Sequence, residues 1–282
     1  MKTAVIDVGG GIRGVFGAGV LDRCIELDIN FDECIGVSAG SANVISYIAR
    51  QRGRNYLFYH EYAFRKEYMS FSNVIKNGSY LGLDYIYGGL SNADGENPLD
   101  YDAAIKSEKN FYAVGTSAYT GEAEYFTKSD LIRNDYAVLK ASCCIPIVCK
   151  PQSVGGKYYF DGGISDPVPI EFALKLGCDK IVLILTRPED ADVSFNMENV
   201  SSKLLKNKYP ALCEKLLERG KKYNDGIALA KKLRDEGRLL IVSPKNTHGM
   251  NTLTKDKSAI NDMYFDGYNS AQEIKRFLDG GG

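Results

Sequence analysis

Apolar residues gather first at positions 3–8 and again at 31–37, in runs of strand length that each end in glycine-rich sequence. Positions 17–27 and 41–50 carry the wider spacing of helices packed on a core. Residues 1–52 therefore predict strand, glycine loop, helix, strand, tight turn, helix, the opening of an α/β fold. Residues 55–99 break this rhythm. Tyr56, Phe58, Tyr59, Tyr62, Phe64, Tyr68 and Phe71 crowd together, followed by a stretch rich in glycine and asparagine. Such aromatic spacing reads as core or helix-face packing. An insert of this length after a tight turn is also where a cap over an apolar pocket would sit.

Further along, 110–118 and 122–126 read as a strand pair turning at Thr120-Gly121, and 130–142 as a helix ending before Pro146. A short strand is expected at 157–160 and a buried one at 180–186, whose run is almost wholly apolar. Residues 188–199 are polar and loop-like, 203–237 helix-rich, 238–243 a short strand and 255–278 a final amphipathic helix. The terminal glycines 280–282 are expected to fray. No internal repeat is apparent, and the length suits one large α/β domain over 1–282, with a helix-rich extension from about 200.

Candidate chemistry sits where three of these strands end. Gly36-Val37-Ser38-Ala39-Gly40 joins an expected strand to an expected helix. A serine there stands on a sharp turn above the sheet, and glycine neighbours let a substrate come close. Gly9-Gly10-Gly11-Ile12-Arg13-Gly14 follows the first strand, and Asp161-Gly162-Gly163 follows the strand at 157–160. Three glycine turns of this kind converge on one end of a parallel sheet, the usual place for ligands. Taken alone, Asp161-Gly162-Gly163 is an ordinary turn signature. Gly9, Gly11 and Gly14 also match a dinucleotide-binding loop. That reading wants an acidic residue at the end of the second strand; Asp32 and Glu33 begin it instead. The two histidines, His60 in an aromatic helical stretch and His248 in a loop, have no recognisable catalytic setting and read as surface or packing residues.

Together the three segments resemble the patatin-like family of serine acyl hydrolases, which carries a GGGxRG loop, a GxSxG turn and a DGG or DGA motif in this order. The resemblance covers about residues 1–187. Asn97-Pro98-Leu99-Asp100 and the C-terminal helical region look most like its bacterial branch. It implies a three-layer sandwich, a mostly parallel central sheet with helices on both faces. It also implies a Ser38–Asp161 dyad in which the carboxylate activates the serine directly. Gly9, Gly10, Gly11, Arg13 and Gly14 become the oxyanion loop, with the amides of Gly10 and Gly11 aimed at the developing charge. Gly36, Gly40, Gly162 and Gly163 become the turns that position the dyad. The implied substrate is a lipid or small acyl ester, and no metal or organic cofactor is required. An acyltransferase with the same dyad and a silent interaction protein with the same fold stay open.

Composition narrows the partners. Lys+Arg 35 against Asp+Glu 36 gives a net charge of −1, so bulk electrostatics offer nothing to nucleic acid. The basic run at 203–208 reads as a solvated helix face, with contact to an anionic membrane surface as the alternative. Seven cysteines, an odd number without C-x-x-C spacing, suit buried small hydrophobes in a reducing compartment and give no zinc pattern. Residues 1–7 run straight into the first strand without a leader pattern, and no apolar run has membrane-spanning length, so the cytoplasm is expected.

Overall fold

The computed structural model describes residues 1–191 and 196–280. Among these, eight strands form one sheet: β1 (Thr3–Asp7), β2 (Glu33–Val37), β3 (Asn110–Ser117), β4 (Ala123–Phe126), β5 (Gln152–Val154), β6 (Lys157–Asp161), β7 (Lys180–Ile184) and β8 (Leu239–Val242). Their order is β5-β6-β3-β2-β1-β7-β8, with β4 on the other edge of β3. The run β3-β2-β1-β7-β8 is parallel, whereas β4, β5 and β6 pair antiparallel. β2 lies inside the sheet and is buried along its whole length, which is why its sequence shows no alternation.

Helices follow as α1 (Val15–Glu26), α2 (Ala39–Ile48), α3 (Arg54–His60), α4 (Phe71–Asn77), α5 (Tyr101–Lys106), α6 (Ala137–Ser142), α7 (Ile170–Lys175), α8 (Asn196–Leu205), α9 (Pro210–Asp235) and α10 (Lys257–Leu278). Strand side chains alternate between faces, and the two faces have different covers. Val5, Cys34 and Phe111 pack with Phe16 of α1, Val44 of α2 and Met263 of α10. Ile6, Ile35 and Leu183 pack with Ala173 of α7 and Ile227 and Ala230 of α9. The result is the expected three-layer arrangement. α1 and α10 touch backbone to backbone: a Cβ on Gly19 would lie 2.1 Å from the Tyr264 carbonyl, and one on Gly267 would lie 2.1 Å from that of Phe16.

Several elements depart from expectation. The helix expected over 130–142 is only α6, because a capped 3₁₀ turn at Lys128–Asp130 and a left-handed Asn134 interrupt the chain first. Of the polar segment 188–199, residues 192–195 lie outside the described residues, and α8 already begins at Asn196. Of the terminal glycines, 281 and 282 also lie outside them. The aromatic insert divides: Phe58, Tyr59, Tyr62 and Tyr68 join the core, while Phe71 is exposed. The lysines of the 203–208 run are exposed, and all seven cysteines are buried with free thiols. No helix among the described residues is long and apolar enough to cross a membrane.

Candidate active site

Two strands meet end to end against β3. β2 runs up its edge until Val37 pairs with Val114, and β6 comes the opposite way until Asp161 pairs with Gly115. Ser38 and Asp161 stand at that junction, so the sheet register itself brings them together. Ser38 has φ 55° and ψ −133°, a conformation that costs a non-glycine residue roughly 1–3 kcal/mol. Its surroundings hold it there. Its N–H donates to Ser142 Oγ at 3.0 Å, and its carbonyl accepts from the N–H and hydroxyl of Ser41 at 2.9 and 2.7 Å. Gly40 must lack a side chain because a Cβ would sit 2.1 Å from the Asp7 carbonyl; at Gly36 it would meet Ser41 Cα at 2.4 Å.

Asp161 is 7% exposed and its backbone is tied down at both ends, N–H to the Cys144 carbonyl and C=O to the Thr116 hydroxyl. The carboxylate accepts the Gly163 N–H at 2.8 Å and lies beside the Ser38 side chain. Burial pushes this carboxyl above the usual range, while the neighbouring Ser38 hydroxyl, the Arg219 charge and the Gly163 N–H pull it partway back. Arg219, on α9, donates from Nε to the Gly163 carbonyl at 2.7 Å and pairs with Glu198 at 2.6 Å. Gly162 fits because a Cβ would lie 2.1 Å from the Val114 carbonyl.

The five residues of the glycine loop divide by role. Gly9 cannot donate outward: its N–H goes to Asp7 Oδ1 at 2.8 Å. Asp7 is fully buried, its pKa is raised by burial to about 6, and Asn43 bridges it to the Gly14 carbonyl. Gly14 lies under Tyr59, whose hydroxyl would be 2.7 Å from a Cβ there. The N–H groups of Gly10 and Gly11 meet no acceptor among the described residues, and both residues, with positive φ, line the space beside Ser38. Arg13 is 7% exposed, its Nε has no partner, and burial together with Arg187 and Arg219 pushes its pKa down to about 10.

Ser38 separates two cavities. One is a narrow apolar cleft of about 60 Å³, walled by Phe58, Tyr59, Met69, Leu83, Ile86 and Tyr87. The other is a wide cavity of about 600 Å³ that holds Asp161, Arg13, Arg187, Glu198, Arg219 and Tyr223. Neither lining includes a histidine; His60 pairs with Glu61 and His248 with Asp266. At the end of β2, where a ribose-binding acid would stand, the chain supplies Val37 and Ser38. Sequence reasoning missed Asp7, Asn43, Ser142 and Arg219. Only Asp7 left a signal, an acid closing an apolar strand just before the loop it holds.

A family model described as patatin-like phospholipase matches residues 8–174, which include Ser38 and Asp161. A second, described as a domain of unknown function (DUF6363), matches residues 209–278. The uncharacterized protein YjjU of Escherichia coli (strain K12) is 31% identical over 192 residues, covering 66% of this chain and 52% of its own; the chain thus spans about half of that relative. The crystal structure of VipD from Legionella pneumophila superposes with a TM-score of 0.47 at 14% identity, covering 99% of this chain and 67% of VipD.

Proposed function

The chain belongs to the patatin-like phospholipase family, and on that premise we propose that it cleaves acyl esters of lipids through an acyl-enzyme on Ser38. Membership supports lipid acyl hydrolysis in general; the residue roles rest on geometry. The carrying observation is a serine on a strained turn, set beside a buried carboxylate whose pKa is raised, at the junction where β2 and β6 meet on β3. Ser38 Oγ attacks the ester carbonyl as its proton passes to Asp161. The oxyanion forms beside the free amides of Gly10 and Gly11, donors worth roughly 3–4 kcal/mol each at such a transition state. As the intermediate collapses, Asp161 returns the proton to the leaving alcohol. A water then attacks the acyl-enzyme, giving its proton to Asp161, and Ser38 leaves with that proton restored. The apolar cleft suits the acyl chain. The wide cavity, with Arg13 and Arg187 in its wall, suits an alcohol portion carrying negative charge. All-buried free thiols support a cytoplasmic setting.

Residues 1–282 act in this reading as one catalytic unit, because Arg219 from the second matched segment reaches the Asp161 turn. Removing its charge lets the Asp161 pKa climb. Arg219→Ala should therefore shift the acid limb of kcat/KM to higher pH, lowering activity along that limb and recovering it as pH rises further, with Arg219→Lys intermediate. An unmoved pH profile would remove Arg219 from the mechanism.

The proposal is tested by fluorophosphonate labelling and by hydrolysis of p-nitrophenyl butyrate, a chain short enough for the narrow cleft. Wild type should label and turn over, and Ser38→Ala should do neither. A wild type that did neither would return the dinucleotide-binding and silent-protein readings to the front. Labelling followed by acyl transfer to an added alcohol in preference to water would favour the transferase.

A further inference from the structure

α4 carries an apolar face that the described residues leave largely open, with the Tyr80 ring meeting Phe71 edge-on at one end. Phe71, Val74 and Ile75 are 80%, 43% and 88% exposed, and their i, i+3, i+4 spacing places them on one side of the helix. Single apolar residues scattered on a surface are normal, but a contiguous face of this kind marks an interaction site. The helix is firmly held. Asn73, buried on its inner side, donates from Nδ2 to the carbonyls of Lys66 and Glu67, both at 3.1 Å. The Ser70 N–H reaches the Tyr80 carbonyl, and Met69 bridges Leu81 at the base.

Two further observations identify the occupant. Lysines surround the apolar residues: Lys76 lies on the helix and Lys66 just before it. The Lys150 side chain lies against Gly78, and Lys255 Nζ donates to the Met69 carbonyl. The neighbouring acids are Glu67 and Asp84, the latter paired with Lys140. Moreover, Tyr68, Met69 and Leu81 at the base of α4 line the apolar cleft that reaches Ser38.

We propose that α4 is a hook that docks the protein on an anionic lipid bilayer, inserting Phe71, Val74 and Ile75 below the head groups while the lysines meet lipid phosphates. At seven residues the helix is about 10 Å long, the scale of the interfacial layer. A second copy of the chain fits less well, because a two-fold contact through this face would set lysines against lysines. Docking here holds the mouth of the cleft at the membrane, so an acyl chain can pass from bilayer to Ser38. That purpose rests on the acyl-hydrolase reading; the docking itself does not.

The test is co-sedimentation of the full chain with vesicles of phosphatidylglycerol and phosphatidylcholine, or of phosphatidylcholine alone, beside size-exclusion chromatography. Wild type should sediment with the anionic vesicles, less so at high salt. Phe71→Asp/Ile75→Asp should lower the partition about tenfold or more, with elution volume and p-nitrophenyl butyrate turnover unchanged. Equal vesicle binding by the double variant would overturn the proposal. So would a wild type that ignores vesicles and elutes as a dimer which the variant converts to monomer. Sedimentation by a protein inactive on soluble ester would still support the hook and count only against the hydrolase reading.

Discussion

Asp161→Asn is expected to lower ester turnover by a factor on the order of 10²–10⁴, the contribution of a positioned general base, without harming the fold. Asparagine has the same size and keeps an oxygen for the Gly163 N–H, which Asp161 now accepts at 2.8 Å. It cannot take the Ser38 proton. Stability should move the other way. The folded carboxyl has a pKa above its unfolded value, so its stabilising contribution is full below the unfolded pKa and lost as pH rises through the folded one. Above the folded pKa the ionised carboxylate is a burden that asparagine removes, and the melting temperature there should hold or rise. A loss of activity without a loss of stability separates a catalytic carboxylate from a structural turn. If the variant kept full turnover, the dyad would be untenable and another base would have to be found.

Gly9→Ala carries the second large effect. Its Cβ would lie 2.3 Å from the Val37 carbonyl, 2.7 Å from the Gly40 N and 2.9 Å from the Ala39 N. All three are backbone atoms of the Ser38 turn, so no side chain can swing aside, and the loop must lift away from the serine. Moving one oxyanion donor out of place should cost about 10²–10³ in kcat. Gly155→Ala is the control: Gly155 has φ +56°, close to the +64° of Gly9, but nothing lies within 4 Å of its added Cβ. Its penalty should stay near the roughly 1–2 kcal/mol of left-handed backbone, with activity intact. Calorimetry and kcat measured on both variants separate backbone strain from interlock. Equal behaviour of the two would mean that the loop and the serine turn are not geared together.

The contrast between these glycines explains what was readable in advance. Gly9–Gly11, Gly36, Gly40 and Gly162 announce themselves because a missing Cβ is a local requirement written directly into the chain. Strands at 3–8, 31–37 and 180–186 were legible for a similar reason, being short apolar runs closed by breakers. The meeting of β2 and β6 on β3 was not, since register is decided by pairing between residues 77 positions apart for β2 with β3 and 42 to 46 apart for β6 with β3. Arg219 was hidden for the same reason: its sequence neighbourhood is ordinary, and only proximity in space gives it a role. β5 is three residues long and carries no period to detect. Phe71 misled in a different way, because an aromatic residue in such spacing looks the same whether it faces a protein core or lies open.

The crossing of α1 and α10 also bears on how this protein is made. A ribosome delivers Ser38, the glycine loop and Asp161 early. The carbonyl of Thr252, which receives the Ile12 N–H at 2.9 Å, and the guanidinium of Arg219 emerge much later. α10, which seats Gly267 on Phe16, comes later still. A nascent chain thus holds Ser38, the glycine loop and Asp161 well before it holds the parts that fix their geometry. On the acyl-hydrolase reading, competence to cut esters would arrive late in translation, once α10 has been made.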